Sequence, residues 1–313
     1  MTSGCPTLRS LAFSDLLLGE RQGPLVKGLC PSGGGSSPLG PLPSSFHAEA
    51  RQIQAALASQ SKDEFAYVHD GIRYRVSRIV TVDGIWYCLR RGPATIESLE
   101  GLGISAVIRQ RLCSAEMHHG LVVFSGAMRS GKTTTASALV AERLRLFGGH
   151  AVALESPPEH PLQGPHGHGF CLQKEVEGDL ENAIVATLRY GAPEIIFLGE
   201  LRSSGEVAQA LRAAINGHLV ITTFHAAGVQ ETIRRLLALG RTHEPLAQEL
   251  LADGLRCVVH QNLQGKSLRL QFLFLDGSRI GQAATAKIRE GEIGQMATEI
   301  QAQKNEILFG LGC

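Results

Sequence analysis

The chain predicts an α/β fold with a mostly parallel sheet, and three observations carry that expectation. Apolar runs at 121–124, 151–154, 194–198 and 219–223 alternate with helical stretches at 134–146, 180–190 and 204–215. That is the pattern of strands covered on both faces by crossover helices. The first run leads into the octapeptide Gly126-Ala127-Met128-Arg129-Ser130-Gly131-Lys132-Thr133, and a helical stretch follows it. At 313 residues and 43% hydrophobic, the chain can fill one large or two ordinary domains.

The amino-terminal part reads differently. Residues 31–45, PSGGGSSPLGPLPSS, cannot bury enough apolar surface to order themselves and read as a linker or surface loop. Residues 46–60 look helical. Ile72-Arg73-Tyr74-Arg75-Val76 alternates like a strand, Val82-Asp83-Gly84 signals a turn, and 85–89 supplies the partner strand. A small α+β domain over 1–118 is therefore expected, ending near His118-His119-Gly120, with the α/β domain over 119–313. The region from about 242 reads as a helix at 245–252, strand-like runs at 257–262 and 268–275, and helical stretches from 283 onward.

The octapeptide in its strand-loop-helix setting predicts a phosphate-binding loop. Glycines such as Gly126 and Gly131 let successive backbone N–H groups turn toward one point, and the helix start adds positive potential there. Lys132 would reach the β- and γ-phosphates of a nucleoside triphosphate, Thr133 would hold Mg2+ through its hydroxyl, and Arg129, Ser130 and Thr134 would line the same loop. Hydrolysis also needs a carboxylate that orients water. Glu200 follows the apolar run Ile195-Ile196-Phe197-Leu198, which puts it at the carboxyl end of a central strand, where ligands of open α/β sheets bind. Glu155 and Glu159 flank Ser156-Pro157-Pro158 at the end of another strand, and Glu155 could reach the metal through water. His218 and His225 bracket the strand between them, with His225 on the Glu200 edge. Arg73 and Arg75 share a strand face and Arg90 and Arg91 end the next strand, so cations from this domain could reach a phosphoryl group across an interface. His160, His166 and His168 crowd one loop, yet no cysteine or carboxylate completes a zinc spacing, and no metal is expected there.

Thirty basic against twenty-nine acidic residues leave a net charge of +1, so no global field draws the chain to nucleic acid, and a nucleic-acid motor is disfavoured. No run approaches the roughly 18 apolar residues of a membrane span, and no signal peptide is evident, so the expectation is a cytoplasmic protein. The seven cysteines are scattered and never paired as C-x-x-C, which argues for reduced thiols.

Taken together, these blocks resemble the motor ATPases of type II secretion and type IV pili, most closely the PilT-type retraction ATPases. Ser14-Asp15-Leu16, Arg75-Val76 and Arg90 are similar to the family's amino-terminal elements. Glu155 to Glu159 resembles its acidic box, Gly199-Glu200-Leu201-Arg202 its atypical Walker B element, and Gly217-His218 through His225 its histidine box. Ile288-Arg289-Glu290 with Gln295-Met296 resembles its terminal helix region. The resemblance implies a RecA-like ATPase domain behind a small PAS-like α+β domain, assembled as a homo-hexamer and docked peripherally on an inner-membrane platform protein. It implies ATP and Mg2+ as cofactors, with Lys132 and Thr133 on phosphate and metal, Glu200 as catalytic base, Glu155 supporting the metal, and Arg75 and Arg90 contacting phosphates. Glu159, Arg202, His218 and His225 would couple nucleotide state to movement.

The chain also departs from the family. Ala127-Met128-Arg129 stands where Pro-Thr-Gly is common, and Ser156 replaces an aspartate of the acidic box. Both leave open a nucleotide-binding regulator with weak turnover. An ATPase of a conjugative, type IV or type II secretion apparatus is the other alternative, although the four-cysteine zinc module common in assembly ATPases is lacking.

Overall fold

The computed structural model describes residues 6–29, 39–265 and 267–309, and they fall into two compact units. The first comprises residues 1–95 and 157–161, and the second comprises 96–156 and 162–313.

The first unit is a six-stranded antiparallel sheet with a helix. Its elements are β1 (Asp15–Gly19), β2 (Leu25–Lys27), β3 (Gly40–Pro41), α1 (His47–Leu57), β4 (Glu64–His69), β5 (Ile72–Thr81) and β6 (Gly84–Arg91). The sheet order is β3-β2-β1-β6-β5-β4. Period-two alternation along β5 buries Ile72, Tyr74 and Val76 and leaves Arg73 and Arg75 on the other face. The buried face packs on Ile53 and Leu57 of α1. Residues 39–45, expected in a linker, are part of this unit: Gly40–Pro41 pairs with β2, and Leu42 is buried in the core. One apolar side chain in an otherwise turn-rich segment suffices to anchor it. The rest of the low-complexity run, 31–38, lies outside the described residues.

The second unit begins with α2 (Ala106–Leu112). Leu99, Ile104, Ile108, Leu112 and Met117 pack into its core, so the compact units divide at residue 95 and not near 118. Then come β7 (Gly120–Gly126), α3 (Lys132–Phe147), β8 (Gly149–Glu155), β9 (Gly164–His166), β10 (Gly169–Glu175), α4 (Leu180–Tyr190), β11 (Ile195–Leu198), α5 (Ser204–Ile215), β12 (Leu219–Phe224) and α6 (Val229–Gly240). The chain finishes with α7 (Ala247–Gly254), β13 (Leu255–Gln264), β14 (Ser267–Phe274), α8 (Arg279–Glu290) and α9 (Ala297–Phe309). The sheet order is β14-β13-β7-β12-β11-β8-β10-β9. Its inner strands pair in parallel, while β14 and β9 are antiparallel edges.

The alternation predicted for a doubly covered sheet is visible residue by residue. Leu121 and Val123 of β7 face one core and Val122 and Phe124 the other, and β11 and β12 divide their side chains in the same way. A strand with two buried faces reads as an unbroken apolar run. The loop expected around His166 contains β9 and β10, because Cys171 points inward while Phe170 and Leu172 remain exposed. That inverted pattern hides the strand from a hydrophobicity reading.

Candidate active site

The carboxyl ends of the central parallel strands form one edge. Phe224 of β12 pairs with Ser125 of β7, Leu198 of β11 with Thr222, and Leu154 of β8 with Leu198. Gly126, His225, Gly199-Glu200 and Glu155 therefore follow one another along this edge, and β12 separates the loop-bearing strand from the one before Glu200.

The loop is shaped by its glycines. Gly126 has φ 151°, and a Cβ there would lie 2.4 Å from the Gln261 carbonyl oxygen and 2.6 Å from Ser130 Oγ. Gly131, at φ 85°, caps α3 in the left-handed region. Arg129 also sits in that region, at φ 61°. A side chain there costs about 1 to 2 kcal/mol relative to glycine. Arg129→Gly is therefore expected to stabilise the protein by about 1 kcal/mol, raising Tm by roughly 2 °C; a drop in Tm would refute the strain. The Arg129 side chain is exposed and makes no hydrogen bond or ion pair with described residues.

Lys132 is 7% exposed, and its Nζ donates to the carbonyls of Gly126 (3.1 Å) and Ala127 (2.7 Å). Burial pushes its pKa below the usual lysine value, and the Glu200 charge works against that shift. The Ser130 hydroxyl is buried without a partner among the described residues. A loop with an enclosed lysine, an unsatisfied hydroxyl and a glycine that a Cβ would fill fits an anionic group held by backbone N–H donors. Thr133 lies in the first turn of α3, with Thr134 beside it.

Glu200 is held between an arginine and a histidine. Arg202 Nε and Nη2 each stand 2.7 Å from Oε2, and His225 Nε2 is 2.8 Å from Oε1. The Arg202 side chain is 69% exposed, so this contact contributes at most about 1 kcal/mol and breaks easily. The turn that presents Glu200 is fixed by Ser203 and Glu206, which form a reciprocal capping box at the start of α5, and Glu206 also accepts from the Arg202 N–H at 2.6 Å. Glu155 is buried, takes a 2.6 Å hydrogen bond from Gln173 Nε2, and lies against Gly199. Its carboxylate and the Thr133 hydroxyl are hard oxygen donors, the chemistry that suits Mg2+.

The remaining candidates belong to other elements. His218 is at the opposite end of β12, its Nδ1 2.7 Å from the Pro193 carbonyl, roughly 20 Å along the strand from His225. Glu159, Arg75 and Arg90 belong to the first unit. There Arg75 and Arg90 stand directly opposite in the β5/β6 register. Arg75 bridges Glu64 and Glu159, each at 3.2 Å, and Arg90 pairs with Asp15 at 3.1 Å, which offsets the like-charge repulsion. Among the described residues, no cluster of histidines, cysteines and carboxylates is arranged to hold a metal ion, and His166 instead contacts the Leu162 carbonyl at 2.8 Å. Cys88, Cys113, Cys171 and Cys257 are free thiols, and burial pushes Cys171 up to about 12.

Sequence reasoning missed the groups behind the loop. β13 runs beside β7, placing His260 opposite Ser125 and Gln261 opposite Gly126. Ser125 Oγ is 3.3 Å from His260 Nδ1 and 2.8 Å from Thr232 Oγ1, and Gln261 Nε2 donates to Thr135 Oγ1 at 2.8 Å. Gln261 Oε1 has no partner among the described residues. An unmet buried acceptor costs about 1 to 3 kcal/mol, which offsets much of what one neutral hydrogen bond returns. The polar residues of an otherwise apolar strand pair, Ser125 and His260-Gln261, were the available signal.

Burial lowers the pKa of His260, and likewise of His119 and His160. The unfolded chain then binds protons more readily than the folded one as pH falls through about 6.5. The stability these residues contribute is present above that value and is lost as pH falls through their folded values. A Tm that declines from pH 7.5 to 5.5 is expected; a flat or rising Tm would contradict it.

Residues 64–270 match the family described as Type II/IV secretion system protein. The chain belongs to this family. It is 32% identical over 260 residues to the uncharacterized protein YggR of Escherichia coli, covering 79% of this chain and 76% of that protein. It is 29% identical over 279 residues to the type IV pilus ATPase PilU of Pseudomonas aeruginosa, covering 83% and 70% respectively. The solved structure of the pilus retraction motor PilT with bound ADP superposes with a TM-score of 0.75 at 24% identity, over 94% of this chain and 87% of that one. The family member described here therefore has the fold of that motor: a RecA-like α/β unit and a smaller amino-terminal α+β unit. Among the described residues, no helix is long and apolar enough to cross a membrane.

Proposed function

We propose that the chain is an ATP-hydrolysing motor of a type IV pilus system, acting in pilus retraction as a homo-hexamer. The observation that carries this reading is the meeting of the Lys132 loop, Glu155, Glu200 and His225 along one sheet edge. The loop's backbone N–H groups and Lys132 bind the phosphates, with Ser130 and Thr134 lining the loop. Glu200 accepts the proton of the attacking water, and His225, paired with Glu200, carries the state of that carboxylate into β12. Thr133 and Glu155 would hold Mg2+, which when bound neutralises charge developing on the phosphates. Arg75 and Arg90 supply cations from the amino-terminal unit of the assembled motor. Hydrolysis is coupled to rigid-body movement, and force passes to an inner-membrane platform protein on which the hexamer sits peripherally. The naming of relatives as pilus ATPases supports this choice of apparatus.

Deleting the gene and imaging the cells tests the reading. Surplus unretracted pili are expected. Unaltered pili with lost DNA transfer or lost protein export would overturn it in favour of a secretion apparatus.

A further inference from the structure

β7 reads Gly-Leu-Val-Val-Phe-Ser-Gly, and its one side-chain hydroxyl, Ser125, is fully buried directly before the loop. That hydroxyl is gripped from two sides. Thr232 Oγ1 of α6 stands 2.8 Å away and equally 2.8 Å from the Gly228 carbonyl at the start of the helix, three residues after His225. On the other side is His260 Nδ1 of β13, at 3.3 Å. The next residue of β13, Gln261, is 1% exposed and donates to Thr135 Oγ1 on the first turn of α3. Thr135 in turn reaches the Gly131 carbonyl at 3.2 Å. The two ends of the loop, at Gly126 and Gly131, are thus tied by separate side-chain struts, and β13 contributes to both.

We propose that Thr232, His260 and Gln261 are positioning residues for the phosphate loop: they never touch the nucleotide, but hold the loop's entry and exit at the separation its backbone N–H groups need. Proton accounting permits the chain. Thr232 donates to Gly228, Ser125 donates to Thr232, and the neutral His260 tautomer with its proton on Nδ1 donates to Ser125, so each group donates once and both contacts of Ser125 are made. The groups facing His260 are Ser125 of β7, Lys132 of α3 and Glu231 of α6. Since the struts shape the ground-state cradle that persists through the reaction, their loss weakens binding of substrate and transition state alike, raising KM while leaving kcat in place.

The proposal rests on the nucleotide reading above. Its test is steady-state ATP turnover with Mg2+ in the full chain, for Thr232→Val, Thr232→Ser and Gln261→Leu, each with its melting temperature. Thr187→Val serves as control, because that hydroxyl bonds the Ala183 carbonyl on α4. The expected result is a KM raised about fivefold in Thr232→Val and in Gln261→Leu, each of which loses its one side-chain bond to a strut partner, Ser125 or Thr135. In both, kcat should stay within about twofold of wild type. Thr232→Ser should restore KM, and Thr187→Val should leave it alone. Wild-type turnover with KM unmoved in both variants would overturn the struts and leave the nucleotide reading standing. So would a Thr232→Ser enzyme no better than Thr232→Val, or a kcat that falls with KM unchanged. Wild-type protein that binds no ATP would overturn both.

Discussion

Lys132→Ala is expected to cut ATP turnover by about a hundredfold or more, the scale of losing a charge-assisted phosphate contact that strengthens as negative charge develops. The fold should survive. Lys132 is nearly enclosed, and burial already works against its charge, so its removal relieves a desolvation cost while giving up two hydrogen bonds to loop carbonyls. Measured phosphate release with unchanged Tm would separate a lost contact from a lost fold. Undiminished turnover would remove the loop from the chemistry altogether.

Glu200→Gln separates binding from hydrolysis. The amide keeps the size of the carboxylate: its one carbonyl oxygen can still accept from Arg202, and its NH2 can donate to an unprotonated His225 Nε2, the two contacts now at 2.7 and 2.8 Å. It cannot take a proton from water at neutral pH. General-base catalysis contributes about 10²- to 10⁴-fold, so kcat should fall at least hundredfold while ATP binding stays within a few-fold of wild type. A variant that binds and turns over like wild type would exclude Glu200 as base and direct attention to Glu155, which ends β8 on the same edge. The departures at Arg129 and Ser156 make the wild-type rate itself informative: a protein that binds ATP without releasing phosphate would be a regulator.

Much of the fold was legible because its signals are local. The strand, loop and helix around Lys132 lie within thirty residues of one another, and each central strand announces itself as an apolar run since both faces are covered. Glu155, Glu200 and His225 could be placed from those runs alone, because parallel strands deliver their carboxyl ends to one edge. What could not be read depends on partners distant in sequence. His260 and Gln261 gain meaning only when β13 pairs beside β7, with Ser125 and His260 135 residues apart. Residues 157–161 cluster with the amino-terminal unit, so Glu155 and Glu159 are assigned to different compact units despite standing four residues apart in the sequence. The left-handed backbone at Arg129 contradicts its residue type, so no propensity could foretell it.

The position of β12 bears on how such a machine can move. All six of its residues are buried, and it is bonded on one side to β7 and on the other to β11. Sliding it by one residue would turn Val220 and Phe224 away from one core and Leu219 and Ile221 away from the other, exchanging every packed face at once. A signal passing from the phosphate loop to Glu200 cannot travel as a shift of the strand between them. In the proposed motor the sheet is the bearing, and the working stroke falls to the loops at its edge.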